Sequence, residues 1–337
     1  MGHATRCIPV INALLKADFE PILASDGNAL EMLKMEFPLL KSYKLPSYNI
    51  QYSKKGKNLK LKLLFSIPSI ISAVKKENRQ LRGIIETEKI NGLISDNRLG
   101  VYSPKIPSVY ITHQLNVFSG NTSFFTSKIH QRTIRKFDEC WVPDVEGNHN
   151  LSGALGHLKS HHLTIKYMGN LSRFQPEIEK IKYDLLVLLS GPEPQRTELE
   201  NKLLTELNEF KGSLLVVRGV LTKKNTTITS PNFKMVDYML SRELEKAINQ
   251  SNIVIARSGY STIMDLAALG KKAFFIPTPG QFEQAYLANH LNKKGIAPYC
   301  IQRDFSIDKL DRNKNYTGFS VSKTAVDLEL FKLFKGE

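Results

Sequence analysis

Short apolar runs alternate with helical patterns through the second half of the chain, and this alternation limits the fold more than any other feature. The run 183–189, YDLLVLL, is almost wholly apolar, which is typical of a central parallel strand buried on both faces. Further apolar runs at 214–217, 253–256 and 273–276 are each separated by helical patterns. This order predicts a doubly wound α/β domain built on a parallel sheet.

The first half contains a second series of the same kind, which begins with helical spacing at Gly2. We therefore predict an α/β protein with two doubly wound, Rossmann-like domains. The predicted bounds are 1–170 for an N-terminal domain, 171–182 for a linker, 183–321 for a C-terminal domain and 322–337 for a C-terminal helix. No strand precedes the helix at Gly2, although the opening strand of such a sheet is central. We expect this first strand, roughly ten to fifteen residues with its loop, to lie upstream of a truncated start.

The charge of the chain narrows its partners. The 337 residues include 47 Lys and Arg against 32 Asp and Glu, which leaves a formal net charge of +15. Such a surface attracts nucleic acid, anionic lipid or phosphorylated small molecules. Nucleic acid is disfavoured because the basic residues are not interleaved with stacking aromatics. The segment Lys54 to Lys76 alternates lysines with aliphatic residues and is either a peripheral contact with an anionic membrane or a solvated amphipathic helix.

Three widely spaced cysteines form neither a disulfide framework nor a zinc knuckle, which favours a reduced, cytoplasmic location. The longest mostly apolar stretch, about twelve residues, is shorter than the roughly twenty that a membrane span needs. We therefore expect a cytoplasmic protein, peripheral on the inner face of the plasma membrane if the basic segment binds lipid. No Asp-x-Asp motif or spaced ligand set is present, so we expect no metal and no other cofactor.

The clearest local signal follows the strand at 253–256. There the chain reads Arg257-Ser258-Gly259-Tyr260-Ser261-Thr262 and enters a helix. A glycine-containing turn at a helix N-terminus offers N–H groups and the positive end of the helix dipole, which suit a diphosphate. Asp265 lies one turn further, within reach of a ribose. The same string is also compatible with an ordinary helix cap by Ser258.

A second loop follows the neighbouring strand. It carries Gln281, Glu283 and Gln284 after a Pro-Gly turn, at the edge of the sheet where ligands of doubly wound folds collect. These side chains are suited to hydrogen-bond sugar hydroxyls. Plain turn chemistry followed by a solvated first helical turn explains the same residues.

The residues from Arg257 to Leu291 resemble the C-terminal signature of glycosyltransferase family 28, whose typical member transfers N-acetylglucosamine from UDP to a lipid-linked acceptor in peptidoglycan synthesis. Gly2-His3 resembles the first glycine loop of that family, His113-Gln114-Leu115-Asn116 is similar to its His-Glu-Gln-Asn motif, and Met168-Gly169-Asn170 resembles its hinge. The resemblance implies the two-domain GT-B architecture and a metal-independent glycosyltransferase, inverting at the anomeric carbon, that uses a UDP-sugar, with an N-acetylhexosamine expected.

The resemblance also implies roles for individual residues. His3 is the expected general base, and His113, Gln114 and Asn116 are expected on the acceptor side. In the C-terminal domain the implied contacts are to the diphosphate from Arg257, Ser258, Gly259, Tyr260, Ser261, Thr262, Ser190, Gly191 and Arg196, to the ribose from Asp265, to uracil from the backbone of Met239 and Leu240, and to the donor sugar from Gln281, Glu283 and Gln284.

Two departures from the family pattern make this a divergent subgroup. The loop 189–196 contains two prolines where the family has a glycine-rich turn, and the second glycine loop is absent from 95–100. The acceptor is therefore unknown, with a lipid-linked or cell-envelope molecule expected. Two alternatives remain: a UDP-sugar hydrolase that uses water as acceptor, and a non-catalytic nucleotide-binding or membrane-recruiting partner subunit.

Overall fold

A computed structural model describes residues 2–48, 59–120, 122–221, 225–322 and 326–335, with side chains at 2, 3 and 59–70 outside the description. The chain divides into two compact units. The first contains His3–Leu171 together with Ala325–Glu337, and the second contains Ser172–Thr324. The segment predicted as a linker thus belongs mainly to the second unit, and the C-terminal segment belongs to the first.

The second unit is a doubly wound α/β domain. Its elements are β7 (Tyr183–Leu188), α5 (Gln195–Glu206), β8 (Leu214–Val217), β9 (Thr227–Ser230), β10 (Phe233–Val236), α6 (Ser241–Asn249), β11 (Ser251–Ala256), α7 (Tyr260–Ala268), β12 (Lys272–Phe275) and α8 (Phe282–Lys293), followed by 3₁₀ turns at Gln302–Asp304 and Ile307–Asn315. The strand order is β12-β11-β7-β8-β10-β9, and every pair is parallel except β10 with β9.

The apolar runs explain why this sheet forms. β7 and β11 lie at its centre, paired on both edges, and Leu186, Val254 and Ile255 are fully buried. Side chains of β7, β8, β11 and β12 pack with Leu199 and Leu203 of α5 in one core. Strands without polar alternation fit a sheet covered by helices on both faces.

Two elements of this unit differ from the sequence-based expectation. The exposed strand β9 was not predicted, because its sequence TITS carries no apolar run and it forms only through a hairpin with β10. The alternation of strands and helices also predicts a strand at 297–301, after α8, but these residues form only a single parallel bridge, between Phe275 and Tyr299. Edge positions are where packing contributes least to strand formation, so pattern alone is least informative there.

The first unit contains α1 (Gly2–Lys16), β1 (Leu23–Ser25), α2 (Gly27–Glu36), β2 (Ser42–Lys44), α3 (Leu59–Glu88), β3 (Leu93–Asp96), β4 (Ser108–Ile111), α4 (Ser123–Ile134), β5 (Glu139–Val142), a 3₁₀ turn at Gly153–Leu155 and β6 (Ile165–Tyr167). β1 pairs with β2, and β3 to β6 form a separate four-stranded sheet, all parallel. Within the described ranges, β1 and β3 are each paired on one edge only. The expected upstream strand remains a prediction.

The end of the chain packs into the core of the first unit. A 3₁₀ helix, Leu328–Phe334, takes the place of the predicted C-terminal helix at 322–337. Its Phe331 is 1% exposed and lies 5.9 Å, between ring centroids, from the buried Trp141. Among the residues described, no helix is both long and apolar enough to cross a membrane.

Candidate functional site

Three loops of the second unit meet at the carboxyl ends of β7, β11 and β12. The Ser258 hydroxyl, just after β11, donates to the carbonyl of Gln284 at 2.8 Å. The guanidinium of the preceding residue, Arg257, donates to the carbonyl of Gln195, at the end of the β7–α5 loop, at 2.9 Å. Hydrogen bonds between the loops therefore bring together the segments that the sequence analysis assigned to a nucleotide sugar.

Arg257 supports these loops from inside the protein. Its side chain is 1% exposed; Nη1 donates to the carbonyls of Ile276 and Pro277 at 3.0 and 3.1 Å, and Nη2 donates to Gln195 and to Oε1 of Gln302 at 2.9 and 2.7 Å. Burial lowers the pKa of this guanidinium to about 10. Both terminal nitrogens of the side chain thus bind protein acceptors, and the expected diphosphate contact from Arg257 stays a prediction.

The main chain after Arg257 keeps the geometry expected of an anion site. Gly259 is extended and caps α7, whose first helical hydrogen bond runs from the Ile263 N–H to the Gly259 carbonyl at 3.0 Å. The N–H groups of a first helical turn have no acceptor within their helix. Ser261 and Thr262 are partly exposed in this turn, whereas Tyr260 is 3% exposed and Ser258 is fully buried. The loop therefore offers backbone donors and two hydroxyls.

The β7–α5 loop and the first turn of α5 contain three of the residues expected to contact the diphosphate, Ser190, Gly191 and Arg196. Gly191 has a φ of +109°, a backbone conformation that favours glycine, and Ser190 is partly exposed. Arg196 is 6% exposed and pairs with Glu193 and Glu200. These carboxylates compensate its charge, and the expected diphosphate contact from its guanidinium stays a prediction.

Glu200 extends this pairing into a buried network that the sequence analysis missed. Arg218 donates to Glu200 and to Asp237, both at 2.8 Å, and the other Asp237 oxygen accepts from the Thr226 N–H at 2.9 Å. The network fixes the chain just before Met239 and Leu240, which are partly exposed and lead into α6. The i,i+4 spacing of Arg196 and Glu200 was the one signal visible in sequence.

Asp265 lies on α7, one turn after the loop. Its Oδ1 accepts a hydrogen bond from the Ser172 hydroxyl at 2.6 Å, and burial raises the pKa of this carboxyl to about 6. An acidic group with this pKa changes charge close to neutral pH. The expected contact between Asp265 and the ribose stays a prediction.

The predicted sugar-reading residues lie at the start of α8. Gln284 is 9% exposed, and its amide accepts from the Thr278 N–H and donates to Oε1 of Gln281, both at 2.8 Å. Glu283 is partly exposed beside them. Both the oxygen and the nitrogen of the Gln284 amide thus bind within the loop, and its expected contact with the donor sugar stays a prediction.

In the first unit, a buried polar cluster joins α1 to the ends of β3 and β4. Arg6 is 5% exposed and forms an ion pair with Asp96, while its Nη1 lies 2.6 Å from Nδ1 of His113, which is 6% exposed. Arginine can only donate, so Nδ1 accepts, and the neutral imidazole carries its proton on Nε2. Arg6 was not predicted as a functional residue, because nothing in the sequence links it to Asp96 and His113, which lie ninety or more positions away.

The other predicted acceptor-side residues lie in the loop after β4. The Gln114 N–H donates to Oγ1 of Thr112 at 3.0 Å, and the Asn116 side chain donates to the Ala154 carbonyl at 2.6 Å. His3 lies in the first turn of α1, but its side chain falls outside the described residues. Its assignment as general base remains a prediction.

The segment where the second glycine loop is absent is held by a different network. Arg98 donates to Glu77, which is fully buried, and to Asp26. The Gly100 N–H also donates to Glu77, at 3.0 Å, and a Cβ built on Gly100 would lie 2.6 Å from that carboxylate. This loop is therefore held by the Arg98–Glu77–Asp26 contacts and by the close approach of Gly100 to Glu77.

Two further expectations concern metals and membranes. Over the described parts of the chain, no group of three His, Cys, Asp or Glu residues is arranged to hold a metal ion. Most of the basic segment Lys54 to Lys76 lies outside the described residues or has undescribed side chains. At its end, Ile71, Lys75 and Lys76 are exposed on α3.

Comparisons with known proteins give the class. Residues 195–315 match the model of the glycosyltransferase family 28 C-terminal domain. MurG of Acinetobacter baumannii superposes with a TM-score of 0.52 at 13% identity, covering 99% of this chain and 89% of that one. The spinosyn rhamnosyltransferase SpnG, complexed with thymidine diphosphate, superposes with a TM-score of 0.61 at 13% identity, covering 99% and 94%. The protein thus has the GT-B fold of two Rossmann-like domains, and its resemblance to glycosyltransferase family 28 is confirmed.

Sequence comparison with curated proteins also indicates a glycosyltransferase. The UDP-N-acetylglucosamine–N-acetylmuramyl-(pentapeptide) pyrophosphoryl-undecaprenol N-acetylglucosamine transferase of Haemophilus ducreyi is 26% identical over 322 residues, which cover 92% of this chain and 84% of that protein. Together with the family match, this likeness supports glycosyltransferase activity for the present chain.

Proposed function

We propose that this protein transfers a sugar, an N-acetylhexosamine, from UDP to an acceptor without the help of a metal ion. The observation that carries the proposal is the Arg257–Thr262 loop, where the guanidinium is turned inward and the start of α7 is left to present backbone donors. The family match spans this loop and the sugar-side loop after β12. Both the geometry and the comparison therefore support a nucleotide-sugar donor in the second unit.

The chemistry follows from where charge develops. When the bond from the anomeric carbon to the diphosphate breaks, negative charge collects on the leaving UDP. Backbone N–H groups at a helix N-terminus stabilise such charge without having to reorient. Ser190, Gly191, Ser261 and Thr262 would add contacts at the same edge of the sheet, and the backbone at Met239 and Leu240 would pair with the uracil.

The acceptor side belongs to the first unit in this proposal. His3 would remove the acceptor proton, and displacement in a single step would invert the anomeric carbon. The pairing of Arg6 with Nδ1 of His113 makes His113 a hydrogen-bond donor through Nε2, so it is better suited to orient an acceptor oxygen than to act as a base. Gln114 and Asn116 would line the same region.

The acceptor is proposed to be lipid-linked or part of the cell envelope, with the protein on the cytoplasmic face of the membrane. Two observations support this. The named activity of the Haemophilus ducreyi relative involves a pyrophosphoryl-undecaprenol acceptor, and exposed lysines and Ile71 lie on the part of α3 whose side chains are described. Lysines beside exposed aliphatic side chains suit an anionic lipid surface.

The experiment that tests the donor assignment is calorimetric titration of the purified chain with UDP-N-acetylglucosamine, UDP-glucose, UDP and GDP. We expect UDP and its sugars to bind and GDP to bind more weakly by at least about tenfold, because the uracil site is formed by backbone groups in fixed positions. Replacing Thr262 with Val should weaken UDP, whereas the same change at Thr205, whose hydroxyl bonds within α5, should not. GDP binding as tightly as UDP would contradict the proposal.

A second measurement separates transfer from the two alternatives. Incubation of UDP-N-acetylglucosamine with the chain and membrane lipid extracts in the presence of a chelator should release UDP together with a glycosylated lipid. Free N-acetylglucosamine as the sole sugar product would indicate the hydrolase. UDP binding without turnover, restored by a second chain, would indicate the partner subunit.

A further inference from the structure

Thr278 is the third residue of the β12–α8 loop, and the sequence alone assigned no role to it. It follows Ile276 and Pro277 at the carboxyl end of β12 and is 3% exposed. Its Oγ1 is buried and has no hydrogen-bond partner among the residues that the structure describes. Buried hydroxyls in native proteins are in large majority hydrogen-bonded, so this one calls for an explanation.

The backbone of Thr278 is already fully engaged. Its N–H donates to Oε1 of Gln284 at 2.8 Å, and its carbonyl accepts from the Gln281 N–H at 3.1 Å. The Gln284 amide completes this arrangement by donating to the Gln281 side chain at 2.8 Å. The loop is thus closed by its own hydrogen bonds, which use both polar atoms of the Gln284 amide. None of these bonds includes the Thr278 hydroxyl.

The hydroxyl lies beside the backbone of another loop. A Cβ built on Gly191 would have Thr278 Oγ1, at 3.9 Å, as its one neighbour within 4 Å among the described atoms. Gly191 itself is exposed, with a φ of +109°. The hydroxyl of the β12–α8 loop and the backbone of the β7–α5 loop therefore border the same space, and no side chain of Gly191 fills it.

We propose that the Thr278 hydroxyl donates a hydrogen bond to an oxygen of the donor diphosphate, next to the backbone of Gly191. This inference rests on the proposed function, because it assumes a nucleoside diphosphate at the carboxyl edge of the sheet. A phosphate oxygen accepts stronger hydrogen bonds than a neutral group does. The ligand would supply the acceptor that the described residues do not.

The distinguishing experiment compares binding with stability. In the full-length chain, Thr278→Val keeps the shape of the side chain and removes the hydroxyl. We expect it to weaken UDP by about tenfold or more in calorimetry, while the urea midpoint of the ligand-free protein stays unchanged or rises. Removing an unpartnered buried hydroxyl loses no hydrogen bond and relieves the cost of burying one. Thr278→Ser, which keeps the hydroxyl, should restore most of the affinity.

Thr205→Val is the matched control. The Thr205 hydroxyl donates to the Asn201 carbonyl at 3.0 Å on α5, so this change should lower the urea midpoint slightly and leave UDP affinity unchanged. Thr278→Val with wild-type UDP affinity would overturn the inference but leave the proposed function standing. A loss for UDP-N-acetylglucosamine alone would place the hydroxyl on the sugar and also overturn it. A fall in the urea midpoint would show a structural role. Wild-type protein that binds no UDP would overturn both proposals.

Discussion

The two units of this protein each contain a buried arginine near the carboxyl ends of their strands, and the two arginines have different partners. Arg6 in the first unit and Arg257 in the second are 5% and 1% exposed. Arg6 faces a carboxylate, Asp96, and an imidazole, His113. Arg257 faces three backbone carbonyls and a neutral side-chain amide.

The difference separates two kinds of site. In the first unit a cation is matched by an anion, and the pair orients a titratable ring, which is an arrangement suited to positioning a reacting hydroxyl. In the second unit the guanidinium of Arg257 donates to carbonyls and an amide, Glu198 acts on it only through its charge, and burial lowers the pKa of the guanidinium to about 10. What remains for a ligand there is backbone N–H groups and small hydroxyls, which suit an anion.

The largest expected effect is from Arg6→Met. The change would leave Asp96, whose side chain is 6% exposed, as a buried carboxylate without its cation, which typically costs about 3 to 5 kcal/mol. The single tryptophan of the chain, Trp141, is fully buried in the first unit. The urea transition followed by tryptophan fluorescence should therefore move to lower urea.

Two variants sharpen the Arg6 result. Adding Asp96→Asn should recover part of the stability, because a neutral amide costs less to bury than an unpaired carboxylate. Lys34→Met, which removes an exposed contact 3.7 Å from Glu31 in the same unit, should change stability by less than about 1 kcal/mol. An Arg6→Met protein as stable as wild type would show that the Asp96 pair contributes nothing.

Arg257→Met comes next, with an expected loss of about 3 kcal/mol from unsatisfied acceptors. The loss is smaller than for Arg6 because no carboxylate is in direct contact with the Arg257 guanidinium, so the change leaves neutral acceptors unsatisfied where Arg6→Met leaves a buried carboxylate. It should appear in the transition followed by far-ultraviolet circular dichroism, with little change in the fluorescence transition. Arg257→Lys should lose similar stability, because lysine cannot reach the same four acceptors.

The Arg257 pair of variants also tests the comparison itself. An Arg257→Lys protein as stable and as tight for UDP as the wild type would show that this position supplies a charge rather than the four hydrogen bonds. Arg303→Met, at a side chain that is 83% exposed, is the control and should leave both properties unchanged.

Pattern and spacing were enough to predict the two doubly wound units, because buried parallel strands need apolar runs such as those of β7 and β11. They also predicted that the loops after β11 and β12 lie next to each other, since the carboxyl ends of neighbouring parallel strands share an edge of the sheet. The hairpin strand β9 was not predicted, because an exposed edge strand has no apolar run in its sequence.

Side-chain roles within the loops were much harder to predict. Arg257 and Arg196 both have the charge expected of a phosphate ligand, but their partners are carbonyls and carboxylates that only the folded loops bring within reach. Gln284 is used by the Thr278 N–H for the same reason. Sequence identifies which groups can bind an anion, whereas the competition from the protein's own acceptors and donors is decided by tertiary structure.

The smallest expected effect concerns Asp265, the residue of the second unit whose charge changes near neutral pH. Burial raises the pKa of its carboxyl to about 6, so in the free protein it is mostly protonated below that pH and ionised above it. A ribose diol donates to the ionised form. If Asp265 binds the ribose, the affinity should fall toward about tenfold per pH unit as pH drops below 6, because the proton must first be released. UDP-N-acetylglucosamine is the suitable probe, since its diphosphate diester keeps its charge between pH 5 and 7.5, whereas the terminal phosphate of UDP titrates near 6.

Asp265→Asn separates the ribose contact from a purely structural role. With that contact, the variant should bind more weakly than wild type at pH 7.5 and show no dependence on pH between 5 and 7.5. Without ligand, the stability of the wild type relative to the variant should fall as pH rises from about 4 to 6, because the folded state holds the Asp265 proton more tightly than the unfolded chain does and the variant has no such proton. This difference in stability together with an unchanged affinity profile would assign Asp265 to its hydrogen bond with Ser172 alone. In that case Glu283 would be the acidic side chain that remains among those expected at the ligand of the second unit, and the pH dependence of sugar-nucleotide binding would report on it.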